Sequence, residues 1–176
     1  SNFAMSGINK RHFGLEAAAS VPIYAGLSLN AAISWGQFTY DNNPDYVQIQ
    51  DNSGEIKNQG KVYWKNFRVE STPQTALNVG LSYRGPKNIF ASLDMNYYDN
   101  MYLSMSPLYR TDAVLTPGMT TEDIATLRNQ EKFNSACVFN ASVGKNWYIN
   151  RAYTLGFSLE VKNLLNNQNI KTGGYE

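Results

Sequence analysis

The chain has 176 residues, 15 basic and 14 acidic side chains, a formal net charge of +1, one histidine and one cysteine. A balance so near zero lacks the basic excess of a nucleic-acid binder, and one cysteine excludes an internal disulfide framework or a multi-cysteine metal site. Charged residues make up only 16% and aromatics 13%, and no apolar run approaches the ~20 residues of a membrane helix, a limit that leaves membrane β-strands open.

Six segments alternate with period two, the spacing that sends successive side chains to opposite faces of a sheet. The first carries Phe13, Leu15, Ala17, Ala19 and Val21 on one face, and Pro22 to Gly26 read as a short turn. The second runs from Leu27 to Tyr40, with Leu27, Leu29, Ala31, Ile33 and Trp35 opposite Ser28, Asn30, Ala32, Ser34 and Gly36. A polar stretch, Asp41 to Lys61, reads as a long loop with a hairpin around Asn52-Ser53-Gly54. The third strand is expected to enter at Val62 and to alternate most clearly at Leu77, Val79, Leu81 and Tyr83. After a tight turn at Arg84 to Asn88, the fourth sets Ile89, Ala91, Leu93, Met95 and Tyr97 against Ser92, Asp94, Asn96 and Tyr98.

A second long connection runs from about Asp99 to Gln130. Within it Thr121 to Asn129 predicts a short helix, with Glu122 and Asp123 in the first turn. The fifth strand sets Cys137, Phe139, Ala141 and Val143 against Val138, Asn140, Ser142 and Gly144. A short turn follows at Tyr148 to Arg151. The sixth strand then places Tyr153, Leu155, Phe157, Leu159 and Val161 on the apolar face, and Asn163 to Glu176 read as polar loop.

Short and long connections alternate, so all short turns fall at one end of the sheet. The non-apolar face is mostly Gly, Ser, Asn and Ala, with scattered Glu16, Asp94, Glu160 and Lys162. A soluble barrel or sandwich turns its apolar residues inward and carries charge outside. A bilayer-spanning barrel inverts this, with apolar residues toward lipid and small or polar ones toward the lumen. Ten residues at about 3.3 Å each, tilted by ~40°, rise roughly 25 Å, the height of an outer-membrane apolar band. Tyr24, Tyr83, Trp147, Tyr148 and Tyr153 gather beside the short turns; Trp35, Phe38, Tyr40, Tyr97 and Tyr98 gather toward the long loops. Two such belts suit rings seated at headgroup level. The expected fold is all-β: an antiparallel transmembrane β-barrel segment with long extracellular loops and one loop helix.

Met5-Ser6-Gly7-Ile8-Asn9-Lys10-Arg11-His12-Phe13-Gly14-Leu15-Glu16 resembles the entry to a late barrel strand of TonB-dependent outer-membrane receptors, of the type with an N-terminal carboxypeptidase-regulatory-like domain. Thr72 to Leu77, Tyr83 to Lys87, Asn96 to Leu103 and Val161-Lys162-Asn163-Leu164-Leu165-Asn166 are similar to further segments of that family, in order. The resemblance implies that residues 1–176 are about six strands from the C-terminal part of a barrel of about 22. A signal peptide, plug domain, TonB box and aromatic-terminated closing strand are expected to be absent from this stretch. It further implies a Gram-negative outer-membrane location and active uptake of a scarce nutrient, such as a siderophore or glycan. The implied partners are the rest of the barrel, the plug, the lipid bilayer and the TonB complex.

Candidate binding residues are few. Tyr46, Tyr63, Trp64 and Phe67 in the first long loop suit stacking on a sugar or siderophore, and equally suit cross-strand pairing that stabilises the loop. Glu16, Asp94, Glu160 and Lys162 read as paired wall residues, since two carboxylates without defined proximity make no glycosidase. His12 reads as structural and Cys137 as a small packing residue. Asn140-Ala141-Ser142, a formal glycosylation acceptor, falls mid-strand and reads as chance. No phosphate loop, metal cluster or nucleophile–base pair stands out, so neither an enzyme nor a cofactor is expected. The competing expectation, from a different class, is a soluble β-sheet domain that binds carbohydrate through exposed aromatics.

Overall fold

A computed structural model describes residues 1–70, 72–114, 118–150 and 152–169, with Arg128 described by its backbone. The described chain is all-β apart from one short α-helix and three single-turn 3-10 segments, Pro86–Asn88, Pro107–Arg110 and Asp112–Val114. Its strands are β1 (Asn2–Ser6), β2 (Lys10–Tyr24), β3 (Leu27–Tyr40), β4 (Asp45–Ile49), β5 (Ile56–Lys61), β6 (Thr75–Arg84), β7 (Ile89–Asp99), β8 (Ala136–Ile149) and β9 (Tyr153–Val161); α1 is Thr121–Arg128. Six strands form one antiparallel sheet in the order β2-β3-β6-β7-β8-β9, and β1-β4-β5 form a separate small sheet. Among the described residues β2 and β9 are the two edges of the large sheet.

The alternation survives pairing because the register aligns it across the sheet. Ala17, Ile33, Leu77, Tyr97 and Cys137 make one row; Ala19, Ala31, Val79, Met95 and Phe139 make the next. On the other face Ser20, Asn30, Gly80, Asp94 and Asn140 align. A slip of one residue in any strand would place apolar side chains among polar ones, which is what pins the pairing. The polar face is cross-linked by its short side chains. Ser20 donates to Asn30 at 2.6 Å, Asn78 to Asn96 at 2.9 Å, and Ser92 and Ser142 lie 2.8 Å apart. The apolar face has no second layer among the described residues: Leu93, in mid-sheet, is 44% exposed and Phe157 63%.

Several boundaries differ from expectation. β2 continues through Pro22 to Tyr24, with an irregular register there, so the turn is confined to Ala25 and Gly26. Pro22 is tolerated because the β2–β3 register shifts immediately after it, and irregular sites of a ladder accept proline. Gly26 adopts φ 75°, and a Cβ there would overlap the carbonyl oxygen of Arg84. The third long strand does not enter at Val62; it begins at Thr75. Val62 instead lies fully buried in the loop layer and bridges to Thr111. The intervening segment turns at Asn66, whose φ of 71° breaks any extended run. β1 is an additional strand, formed because Asn2–Ser6 pairs with β4 rather than running on into β2; Gly7, at φ 71°, makes the break.

The hairpin expected near Gly54 is present as β4–β5, with Gly54 at φ 69° and its N–H on Gln50 O at 2.9 Å. The helix is present too. Thr120 Oγ1 accepts from Asp123 N at 3.2 Å while Asp123 Oδ2 accepts from Thr120 N at 2.9 Å, closing a reciprocal cap. Arg151 and the last residues of the expected terminal loop, 170–176, lie outside the described residues.

Candidate functional site

The two long connections, residues 41–74 and 100–135, sit together at one end of the large sheet, and the main hydrophobic cluster of the chain lies there. Tyr40, Tyr46, Val62, Trp64 and Val69 are buried together, with Phe3, Met5, Phe38 and Phe67 packed against them. Of the four aromatics singled out in the sequence, Tyr46 is 3% and Trp64 9% exposed. Tyr46 stacks on Phe3 at 5.1 Å, and Trp64 lies against Tyr40 at 4.6 Å between centroids. Tyr63 and Phe67 are half-buried, and the Arg110 guanidinium sits 5.7 Å above the Phe67 ring. The four are thus neighbours along one connection, and two of them serve its packing. Among the described residues, the large apolar side chains that these connections leave exposed are Ile56, Leu108 and Tyr109.

Polar groups fasten the layer, and these had no local signature in the sequence. Gln74, 2% exposed, takes over where the β3–β6 ladder ends. Its side chain accepts from Phe38 N at 3.2 Å and donates to Phe38 O at 3.0 Å, while its main-chain oxygen accepts from Gly36 N at 2.6 Å. A backbone leaving a sheet must find such partners, because buried N–H and C=O groups left unpaired are costly. Side-chain hydrogen bonds add to the Val62–Thr111 bridge in joining the connections to each other. Gln130 pairs with the Arg68 main chain in both directions at 2.7 Å. Asp112 accepts from the Tyr46 hydroxyl and from Lys61 N, both at 3.3 Å.

Electrostatics follow from this packing. Burial pushes the Tyr46 phenol above its ordinary value; the Thr111 contact opposes this and the Asp112 carboxylate adds to it. Tyr40 is raised further, first by burial and then by Glu70, both of whose carboxylate oxygens lie 3.0 Å from its hydroxyl. Both hydroxyls donate to acidic partners, Tyr40 to Glu70 and Tyr46 to Asp112.

The remaining sequence candidates lie elsewhere. Glu16 accepts from Ser34 at 3.3 Å, and Glu160 pairs with Lys162 at 3.7 Å, on the polar face of the sheet. A shallow depression of about 450 Å³ on that face is lined by Glu16, Ser34, Asn78, Asn96 and Tyr98, among others. His12 stacks on Phe38 at 4.8 Å. Cys137 is half-buried and falls in the apolar row opposite Tyr97. Among the described residues no three His, Cys, Asp or Glu side chains converge on a metal-sized space. Comparison with protein-family models, with curated proteins and with solved structures gives no match for this chain.

Proposed function

We propose that this chain forms part of the wall and outer loops of a TonB-dependent transporter in a Gram-negative outer membrane. The observation that carries the proposal is the two-faced sheet. One face is apolar in register across all six strands, save for Lys145 between Ile89 and Phe157 near its short-turn end, and has no covering layer among the described residues; the other is built mostly from small and amide side chains. In water such a face exceeds the few hundred Å² that monomers normally expose, whereas against lipid it is the expected surface. The apolar band covers Leu27 to Trp35 of β3 and Ile89 to Tyr97 of β7, and the loop layer stands beyond it.

Further support comes from the edges. β2 and β9 each offer a free edge among the described residues, and six strands closed on themselves would leave less interior than the about eight that side chains just fill. The reading therefore has both edges joined to further strands of a larger barrel, with the polar face turned to its lumen. Nutrient recognition falls to the long connections, since loops held on a rigid scaffold are where binding groups gather. The alternative, a soluble carbohydrate-binding domain, is disfavoured by the burial of Tyr46 and Trp64. Spin labels at Val79, Leu93, Asn78 and Ser142 test the proposal in reconstituted vesicles. Lipid-soluble relaxants should quench the first two and water-soluble ones the second two; the reverse pattern would sink it.

A further inference from the structure

At the loop end of the large sheet, on its apolar side, β3 carries Trp35 and, two positions on, Gln37. The chain after Asn66 lays Arg68 beside them, bridged antiparallel to Thr39. A recess of about 150 Å³ forms there, lined by Trp35, Gln37, Arg68, Gln74, Asn100 and Tyr102. The partners of the guanidinium are neutral. Nη1 donates to Gln74 Oε1 at 3.3 Å. Gln37, with its amide oxygen turned toward the donors, accepts from Nη1 at 3.0 Å and Nη2 at 3.2 Å. The two flanking bases differ from it. Arg11, across the ladder from Thr39, pairs with Asp41 at 3.7 Å, and Lys132, across from Tyr102, pairs with Asp99 at 2.9 Å. Among the described residues Arg68 forms no ion pair.

We infer that this recess binds the phosphate of an outer-leaflet lipid headgroup, with Arg68 as its anchoring cation. The inference rests on the membrane reading above. Amide oxygens orient the guanidinium without neutralising it, so a half-buried positive charge is left for an outside partner. With both Nη1 hydrogens given to Gln74 and Gln37, the Nε–Nη2 edge of the guanidinium is the fork that matches two phosphate oxygens, a geometry that an ammonium does not offer. The recess has room for one such group rather than a whole nutrient, and Asn100 and Tyr102 line it with further donors. Its position chooses the source of the phosphate. Trp35 lies at its lower edge, and an indole at a membrane boundary sits at headgroup height. A phosphate held here would carry its acyl chains down over the apolar face, where Ile33 and Leu15 are exposed. Free phosphate gains nothing from that surface.

The test uses the whole barrel to which these strands belong, reconstituted in phosphatidylcholine vesicles containing a small fraction of lipid A, a phosphorylated glycolipid. Vesicle flotation reports membrane association, and native mass spectrometry after gentle detergent extraction reports retained lipid A. Wild type should float and retain lipid A. Arg68→Gln should float equally but retain about tenfold less, as expected for losing one charge-assisted contact, and Arg68→Lys should fall between. Gln37→Glu, which neutralises the guanidinium without removing it, should repeat the loss and guards against misfolding of the arginine variant. Equal retention by wild type, Arg68→Gln and Gln37→Glu would overturn the inference while leaving the membrane reading intact. Displacement of lipid A by equimolar inorganic phosphate would also overturn it, because the site would then recognise free anion. Failure of the wild type to float would defeat the membrane reading itself, and the inference with it.

Discussion

The large sheet and the layer of connections at its end are held together by opposite means. In the sheet the four inner strands are laddered to a neighbour on either side, and among the described residues the large side chains of one face touch no second layer. In the connections the ladder is fragmentary, a short three-stranded sheet and isolated bridges, while the side chains form the main buried cluster. The difference teaches where each region's stability comes from. A complete ladder leaves side chains available to an outside medium, and on the proposed reading that medium is lipid. A broken ladder must be replaced by burial and by side chains that imitate backbone, as Gln74 does beside Phe38.

The sharpest way to break this comparison is to empty the loop cluster. Trp64→Ala removes a buried indole packed on Tyr40, and such truncations cost about 3–5 kcal/mol where the surroundings cannot collapse. Hydrogen exchange should show lost protection across 41–74 and unchanged protection in β6 and β7. Simultaneous loss in both regions would mean that they form one cooperative unit. The complementary change strikes the sheet. Val79→Arg in the apolar row should cost roughly 2–4 kcal/mol if that row faces the bilayer midplane, and Asn78→Arg much less. Equal costs, measured by urea unfolding in vesicles, would remove the distinction between the faces.

A smaller effect sharpens the boundary between the regions. Gln74→Leu keeps the volume but strips the partners from Phe38 N and O, and unsatisfied buried groups cost about 1–3 kcal/mol. Exchange at Phe38 and Gly36 should rise while that at Ala31 and Val79 stays slow. Uniform acceleration along β3 would show that Gln74 supports the whole strand and not its upper end.

The same contrast explains what was legible in the sequence. Every long strand announced itself, since a half-apolar sheet writes its two faces into consecutive residues, and α1 was marked by its acidic first turn. The short turns were nearly right, with Pro22 misplaced only because the irregular end of β2 can carry it. Of the loop layer only the hairpin at Gly54 and α1 were legible. Val62 looked like a strand entry because it is β-branched and is followed by the aromatics Tyr63 and Trp64, yet its partner is Thr111, far along the chain. Tyr46 and Trp64 were visible as aromatics, but local sequence says nothing of whether Phe3 and Tyr40 will cover them. Arg68 gave no signal at all, because its neutral surroundings come from Gln37 and Gln74 on other segments.

The smallest expected effect is a pH dependence confined to the loop layer. Lys132 hydrogen-bonds to Asp99 at 2.9 Å just beyond the apolar band, joining the second connection to the end of β7. That bond, foremost, holds the Asp99 carboxyl below its ordinary value, with help from the Asn100 N–H and against the opposing effect of burial. The same bond raises Lys132 above its ordinary value. A lowered acid contributes stability that is present above the unfolded value of 3.8 and is lost as pH falls through the lower folded one. A raised lysine contributes stability that is present below 10.5 and is lost as pH rises through the higher folded one. The pair should therefore act across the neutral range and fade only at its acid and alkaline flanks. Both side chains are partly exposed, 25% for Asp99 and 42% for Lys132, so solvent screening limits the contribution to about 0.2–1 kcal/mol. Asp99→Asn should lower protection at Leu103 and Phe133, whose N–H groups bond across the two arms of this connection, at pH 7 but not at pH values well below the folded Asp99 value. An equal effect at both would assign the contact to packing rather than charge.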